Sequence, residues 1–126
     1  MPILGYNHVA LPVTDLERAK HFYGTVLGFP ELPRPNASIP GAWFGVGGAQ
    51  LHLAVIEGSV PPPMGIPHIA LTVPADEFTT VIEALQASTA VEVAGPRCRT
   101  QHDVPVWSAI YRDPDGNVLE ITDAVA

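Results

Sequence analysis

The sequence predicts an α+β fold made of two copies of one small unit, each reading strand, helix, and then two or three further strands. Residues 5–13 read GYNHVALPV and residues 65–73 read GIPHIALTV, so the two stretches match at an offset of sixty positions. A helix-spaced apolar pattern follows each copy, and two strand-like segments joined by a turn close each half. A repeat at fixed spacing indicates two equivalent structural modules.

The helices are predicted from their caps and apolar stripes. Thr14-Asp15-Leu16-Glu17 matches a capping box in which Thr14 caps the helix and Glu17 reaches back. Gly28 stands where a helix C-cap is expected. A second helix is predicted to start at residues 74–76. The apolar stripes are formed by Leu16, Ala19, Tyr23, Val26 and Leu27 in the first helix and by Phe78, Val81, Ile82 and Leu85 in the second.

The remaining strands are predicted as one hairpin in each half. Residues 43–46 and 50–56 flank a glycine turn, and residues 106–111 and 117–122 flank Asp113-Pro114-Asp115-Gly116. This tetrapeptide favours a tight turn, because proline presets φ and glycine accepts a positive φ. Residues 33–41, 57–67 and 95–106 are predicted as loops. We therefore expect one domain over 1–126, with module 1 at about 1–57, a proline-rich linker at about 58–65 and module 2 at about 66–126.

Composition narrows the function by exclusion. The 126 residues carry a net charge of −7 and only 6 Lys plus Arg, so neither nucleic acid nor an anionic membrane surface is an expected partner. Cys98 is the single cysteine, which excludes an internal disulfide, fits a reducing compartment and is predicted to be a spare thiol. No apolar stretch approaches the ~20 residues that span a bilayer, and a cytoplasmic location is expected.

Strand periodicity places four potential metal ligands on the polar faces of the predicted strands. Neighbouring residues of a strand face opposite ways, so the apolar residues beside each of these four positions face the helix. A carboxylate in an otherwise apolar strand is costly to bury without a cation. If the two modules are related by a pseudo-two-fold axis, these faces can share a metal site; hydrogen-bonded surface histidines and a solvated glutamate are the alternative. The four residues are His8, His52, His68 and Glu120.

The chain resembles the vicinal oxygen chelate superfamily, which includes glyoxalase I, fosfomycin-resistance thiol transferases, extradiol dioxygenases and bleomycin-resistance proteins. The resemblance covers nearly the whole chain. It implies two βαβββ modules that form a cupped, half-open mixed β-barrel with helices on the outside. The motifs that carry it are residues 7–11 (NHVAL), 22–23 (FY), 27–29 (LGF), 68–71 (HIAL) and 113–120 (DPDGNVLE).

The resemblance implies that His8, His68 and Glu120 bind one divalent metal ion. His52 takes a position that is glutamate in glyoxalase I-like members, and it is a further candidate ligand. Two imidazoles and a carboxylate suit Fe(II), and they also accept Zn, Ni, Mn or Co. Such an ion would act as a Lewis acid on a substrate chelated through two adjacent oxygens, and Glu120 or His52 could move protons.

Substrate contacts are predicted from aromatic and basic residues near the expected cavity. Arg97 and Arg99 suit an anionic substrate, although a solvated loop arginine is the common alternative. The two tryptophans are alternatively packing residues. The candidates are Trp43, Trp107, Arg97, Arg99, His102 and Tyr111.

Three functions are consistent with these sequence features. The first is a metal-dependent lyase, isomerase or extradiol-type dioxygenase; the second is a fosfomycin-type thiol transferase; the third is a metal-free protein that sequesters a drug or metabolite. The family resemblance also implies a homodimer, with the site formed within one chain or across two.

Overall fold

The computed structural model describes residues 2–35 and 37–125; one position of the predicted loop at 33–41, Asn36, lies outside the described residues. The chain divides into two compact units, Met1–Ser59 and Val60–Ala126. The boundary falls within the linker predicted at about 58–65. Whether the two units form a single domain stays a prediction.

The first unit contains one four-stranded mixed sheet. Strand β1 (His8–Val13) leads into α1 (Leu16–Lys20), which continues as a π-helix (His21–Val26); β2 (Glu31–Leu32), β3 (Gly41–Val46) and β4 (Ala49–Val55) follow. The strand order is β1-β4-β3-β2, with β1 and β4 parallel and the other neighbours antiparallel. The parallel pair brings the polar residues of β1 and β4 onto adjacent positions.

The second unit repeats this order. Strand β5 (Ile69–Thr72) is followed by a 3₁₀ turn (Ala75–Glu77), α2 (Phe78–Gln86), β6 (Val91–Gln101), β7 (Val104–Arg112) and β8 (Val118–Thr122). The strand order is β5-β8-β7-β6, and β5 and β8 are again the parallel pair. The predicted α+β class and the two βαβββ modules are confirmed.

Each unit has a core between its helix and its sheet. The buried residues alternate along the strands and recur at helical spacing, as the sequence patterns predict. Among the described residues, no helix is both long and apolar enough to span a membrane. The buried core includes Val13, Phe22, Tyr23, Phe44, Leu51 and Leu53 in the first unit and Phe78, Ile82, Leu85, Leu119 and Ile121 in the second.

The start of α1 differs from the prediction by one residue. Asp15, not Thr14, is the N-cap, and its Oδ1 accepts a hydrogen bond of 3.0 Å from the backbone N–H of Arg18. The Thr14 hydroxyl instead accepts a 3.2 Å hydrogen bond from the Arg18 guanidinium. A carboxylate at the N-cap also interacts favourably with the positive end of the helix. Gly28 follows the helix with a φ of 76°, as its predicted role requires.

The loop predicted at 95–106 is wrong, because most of it forms a hairpin of β6 and β7. Glycine and proline are uncommon inside strands, but register shifts between Glu92 and Arg97 accommodate Gly95 and Pro96 within the strand pairing. The turn is made by His102 and Asp103, whose φ angles of 50° and 63° suit a tight hairpin. Arg97 and Arg99 therefore lie on a strand with a fixed face.

The predicted turn at 113–116 is held by the buried side chain of Asp113. Its Oδ1 accepts hydrogen bonds of 2.9 Å from the backbone N–H groups of Asp115 and Asn117, and its Oδ2 accepts one of 2.9 Å from the Asn117 side chain. Gly116 completes the turn with a φ of 86°. This turn sets the register with which Glu120 enters β8.

Candidate metal-binding site

In the first unit, His8 lies at the start of β1 and has its ring held at one edge. Its Nδ1 is 2.8 Å from Oδ1 of Asn7. An amide oxygen can only accept, so this contact places a proton on Nδ1, and in the neutral ring the lone pair is then on Nε2. That tautomer is the one a metal ligand needs, because a second hydrogen bond normally orients a coordinating histidine.

His52 lies in β4 between two other rings. Its ring is 4.0 Å from that of His8 with 13° between the planes, and 4.0 Å from that of Trp43 with 3° between the planes. Its Nε2 is 2.8 Å from Oε1 of Gln50. The register explains the stack, since Trp43 is directly opposite His52 and Ala10 is opposite it on the other side.

The surroundings of His52 favour a neutral imidazole. Burial lowers the pKa of His52 below its ordinary value of 6.5, and positive charge on His8 and Arg34 adds to the effect. A neutral ring can stack on Trp43 without the cost of removing a charged imidazolium from water.

In the second unit, the structure brings His68 and Glu120 together. Nε2 of His68 is 3.3 Å from Oε1 of Glu120, and the Glu120 side chain is only 14% exposed. The parallel pairing of β5 and β8 places Ala70 opposite Glu120, so the imidazole that precedes β5 reaches the carboxylate. Both predicted ligands belong to the second unit, so their contact forms within that unit.

A hydrogen bond at the other nitrogen of the His68 ring places a proton on that nitrogen. Nδ1 is 3.0 Å from the carbonyl oxygen of Gly65, which can only accept, so Nδ1 carries a proton. Nε2 then presents either a lone pair or a second proton to Glu120. A lone pair beside a carboxylate is unfavourable unless a cation lies between them. The pair is thus arranged to share a proton or a metal ion.

Arg99 contacts the other oxygen of the same carboxylate. Its Nη2 is 3.5 Å from Oε2 of Glu120, and its side chain is 47% exposed. The register pairs Arg97 with Ser108 and Arg99 with Val106, which places both arginines on the Glu120 face of the sheet. This face therefore carries a carboxylate bordered by positive charge.

Other predicted substrate contacts lie elsewhere. Tyr111 is completely buried, pairs with Leu119 on the opposite face from Glu120, and donates a 2.7 Å hydrogen bond to Glu92. Trp107 lies on that same face and borders a cavity of ≈ 370 Å³ with Phe78 and other α2 residues. The structure brings neither residue to Glu120.

The positions of the other two candidates also follow from the strands. His102 is exposed at the β6–β7 turn. Trp43 stacks on His52 and so lies near His8.

Sequence reasoning missed the groups that orient the two histidines. Asn7 stands directly before His8, and its adjacency to a predicted ligand is the signal that identifies it. The Gly65 carbonyl gives no such signal, because any residue has one. Within residues 2–35 and 37–125, no group of three or more His, Cys, Asp or Glu side chains is placed to hold a metal ion. The shared site of His8, His68 and Glu120 stays a prediction.

Two units of the order βαβββ, each with one four-stranded mixed sheet whose first and last strands pair in parallel, define a class of paired-module proteins. The family model of the Glyoxalase/Bleomycin resistance protein/Dioxygenase superfamily matches residues 5–121. The chain belongs to this superfamily.

Individual relatives agree with this assignment. The chain is 32% identical over 123 residues to the metallothiol transferase FosB of Lysinibacillus sphaericus, covering 95% of this chain and 82% of that protein. It is 32% identical over 124 residues to a virulence protein of Salmonella typhimurium, covering 94% and 83%. The fold is similar to that of the fosfomycin resistance protein FosX from Listeria monocytogenes, with a TM-score of 0.81, 20% identity and coverage of 98% and 95%.

Proposed function

We propose that this protein is a divalent-metal-dependent enzyme of glyoxalase or dioxygenase type that binds a small-molecule substrate through two adjacent oxygen atoms. His8, His68 and Glu120 are the proposed metal ligands. The observation that carries the proposal is the 3.3 Å approach of His68 Nε2 to Glu120, made while Nδ1 is committed to the Gly65 carbonyl. Such a pair has the donor atoms and tautomer that a cation requires.

The donor set fits several divalent ions. Imidazole and carboxylate together accept Fe, Zn, Ni, Mn or Co, and a three-ligand set leaves positions for substrate oxygens. When bound, the ion supplies Lewis acidity that stabilises negative charge on the substrate. The chain's own part is to hold the two imidazoles by their Nδ1 atoms and to move a proton through Glu120 or His52.

The positive border of Glu120 supports an anionic substrate. Arg99 pairs with Glu120 but is half exposed, so its guanidinium can also donate to a ligand. Arg97 lies on the same face of β6 and is exposed. Guanidinium groups recognise carboxylates and phosphonates with paired hydrogen bonds. We therefore favour a substrate that carries such a group beside its chelating oxygens.

Metal binding by purified protein tests the proposal. We expect the wild type to retain a divalent ion, and alanine substitution of His8, His68 or Glu120 to reduce its content strongly. His21→Ala is the matched control, because His21 is an exposed histidine of the helical segment. Unchanged metal content in the three ligand variants would defeat the proposal. Ligand binding that survives EDTA in metal-free protein would instead support the sequestering alternative.

A thiol transferase is the second candidate, and the similarity to the metallothiol transferase FosB favours it. Arg97 and Arg99 suit the phosphonate of fosfomycin. The test is consumption of fosfomycin and a thiol in the presence of Mn²⁺, with Glu120→Gln as the inactive control. No consumption with any of several thiols would exclude this candidate and leave the glyoxalase or dioxygenase assignment standing.

We also propose that the protein assembles as a homodimer. Large apolar residues are exposed at equivalent positions before the first strand of each unit: Leu4 and Met64 are 100% and 86% exposed, and Tyr6 and Ile66 are 87% and 76% exposed. Exposed apolar surface of this kind is typical of an interaction site. Its repetition in both modules fits an interface between copies of the chain.

A further inference from the structure

We infer that His52 and Trp43 are positioning residues that fix the ring plane of His8, and that His52 is not itself a metal ligand. The inference rests on the proposed function for its metal. It assigns His52 a different role from the ligand that its place in the sequence suggests. The observation behind it is the continuous stack of Trp43, His52 and His8.

The stack crosses three neighbouring strands. Trp43 comes from β3, His52 from β4 and His8 from β1, and both ring separations are 4.0 Å. Trp43 and His52 lie directly opposite each other in the pairing of β3 with β4. Ala10, which is opposite His52 on β1, adds only a methyl group. The small side chain leaves the face of His52 available to the His8 ring.

The same geometry argues against a shared ion. An imidazole lone pair lies in the plane of its ring, so a metal bound by two imidazoles must lie in both planes. The planes of His8 and His52 are only 13° apart. Stacked rings so nearly parallel have planes that meet far beyond a metal–nitrogen bond of about 2 Å. His52 and His8 therefore cannot coordinate one ion in this arrangement.

Two hydrogen bonds fix the rings of His52 and His8 separately. Nε2 of His52 is engaged by Gln50 at 2.8 Å, which fixes the His52 ring within the stack. Nδ1 of His8 is engaged by Asn7 at 2.8 Å, which selects the tautomer. His8 is otherwise an exposed side chain with free rotation about two bonds. The stack removes that rotation before a metal arrives, which reduces the entropy lost on binding.

Two substitutions of His52 separate positioning from coordination. Phe retains a flat ring without nitrogen, whereas Ala removes the ring. We expect His52→Ala to weaken Co²⁺ binding by about 10- to 100-fold, and His52→Phe to stay within about three-fold of wild type, as suits a residue outside the ligand set. Isothermal titration with Co²⁺ measures the affinity, and thermal unfolding confirms that each variant is folded.

The visible spectrum of bound Co²⁺ is the readout that mere loss of stability would not change. We expect His52→Phe to retain the wild-type spectrum, because the ligand set is unchanged. Trp43→Phe and Trp43→Ala form a second pair, in which only the alanine variant should weaken binding.

Several outcomes would overturn the inference. Equal loss of Co²⁺ affinity in His52→Phe and His52→Ala, or an altered spectrum in His52→Phe, would make His52 a ligand. Wild-type affinity in His52→Ala would show that the stack does not position His8. Failure of the wild type itself to bind Co²⁺, Zn²⁺, Mn²⁺, Ni²⁺ or Fe²⁺ would be distinct from these results, because it would remove the proposed function as well.

Discussion

Nε2 of His68 lies 3.3 Å from Oε1 of Glu120, although the two residues are far apart in the sequence and belong to different strand segments of one module. The parallel pairing of β5 with β8 creates this contact. Arg99 approaches the second carboxylate oxygen at 3.5 Å, so Glu120 is shared between an imidazole and a guanidinium. A metal ion at His68 would enter a site whose carboxylate already has a positive neighbour.

The first prediction concerns that neighbour. Arg99→Gln should raise Co²⁺ affinity by about two- to five-fold, because it removes a partly exposed positive charge that competes for Glu120. Affinity for an anionic substrate should fall in the same variant. Glu120→Gln should lose metal binding. Calorimetry measures both affinities, and Arg97→Gln, on the same face but outside the Arg99–Glu120 ion pair, is the control for the metal affinity. Weaker metal binding in Arg99→Gln would show that the arginine orients the carboxylate rather than competing for it.

The second prediction concerns Tyr111. Burial and the hydrogen bond to Glu92 raise its pKa to about 12. The folded state thus retains the proton between pH 10 and 12 while the unfolded state loses it. This contribution to stability is complete below pH 10 and is lost as the pH rises through 12, and it amounts to about 3 kcal/mol. Urea unfolding of wild type and Tyr111→Phe across this range measures it. The free energy of unfolding of the variant should fall less steeply with pH than that of the wild type. Equal slopes in the two proteins would contradict the raised pKa of Tyr111.

The third prediction concerns the turn that precedes β8. Gly116 has a φ of 86°, and a Cβ at this position would lie 2.7 Å from the Cβ of Pro61. Gly116→Ala should lower the free energy of unfolding by about 2 kcal/mol or more, through backbone strain and the clash together. Gly47→Ala is the matched control, since Gly47 also has a positive φ of 56° but no atom within 4 Å of an added Cβ. Equal losses in the two variants, measured by chemical denaturation, would show that Pro61 moves away without cost.

The fourth prediction concerns assembly. The wild type should have about twice the monomer mass of 13.4 kDa in light scattering. Leu4→Asp and Met64→Asp should each shift the protein towards the monomer, because a buried, unpaired carboxylate is costly at an apolar interface. Val91→Asp is the control, since Val91 is 60% exposed on β6 and stands outside the segments before β1 and β5. A monomeric wild type would contradict the proposed dimer.

Sequence patterns alone were sufficient for the module order and for the face on which each candidate ligand lies. The repeat at an offset of sixty identified two equivalent units, and the two-residue period of strands separated Glu120 from Leu119 and Ile121. These features are local, since they depend on which residues alternate within one strand. The turn at 113–116 was predictable for the same reason, because Pro114 and Gly116 restrict the backbone directly.

Tertiary structure decided which side chains lie next to one another on each face of the sheets. The register of β6 with β7 placed Arg99 beside Glu120, whereas the sequence predicted a loop at residues 95–106. The pairing of β7 with β8 placed Tyr111 on the opposite face. The stack around His52 depends on ring planes from three strands, and no pattern within one strand encodes a plane. Local alternation fixes a side chain's direction, but only packing across strands fixes its neighbours and its angle.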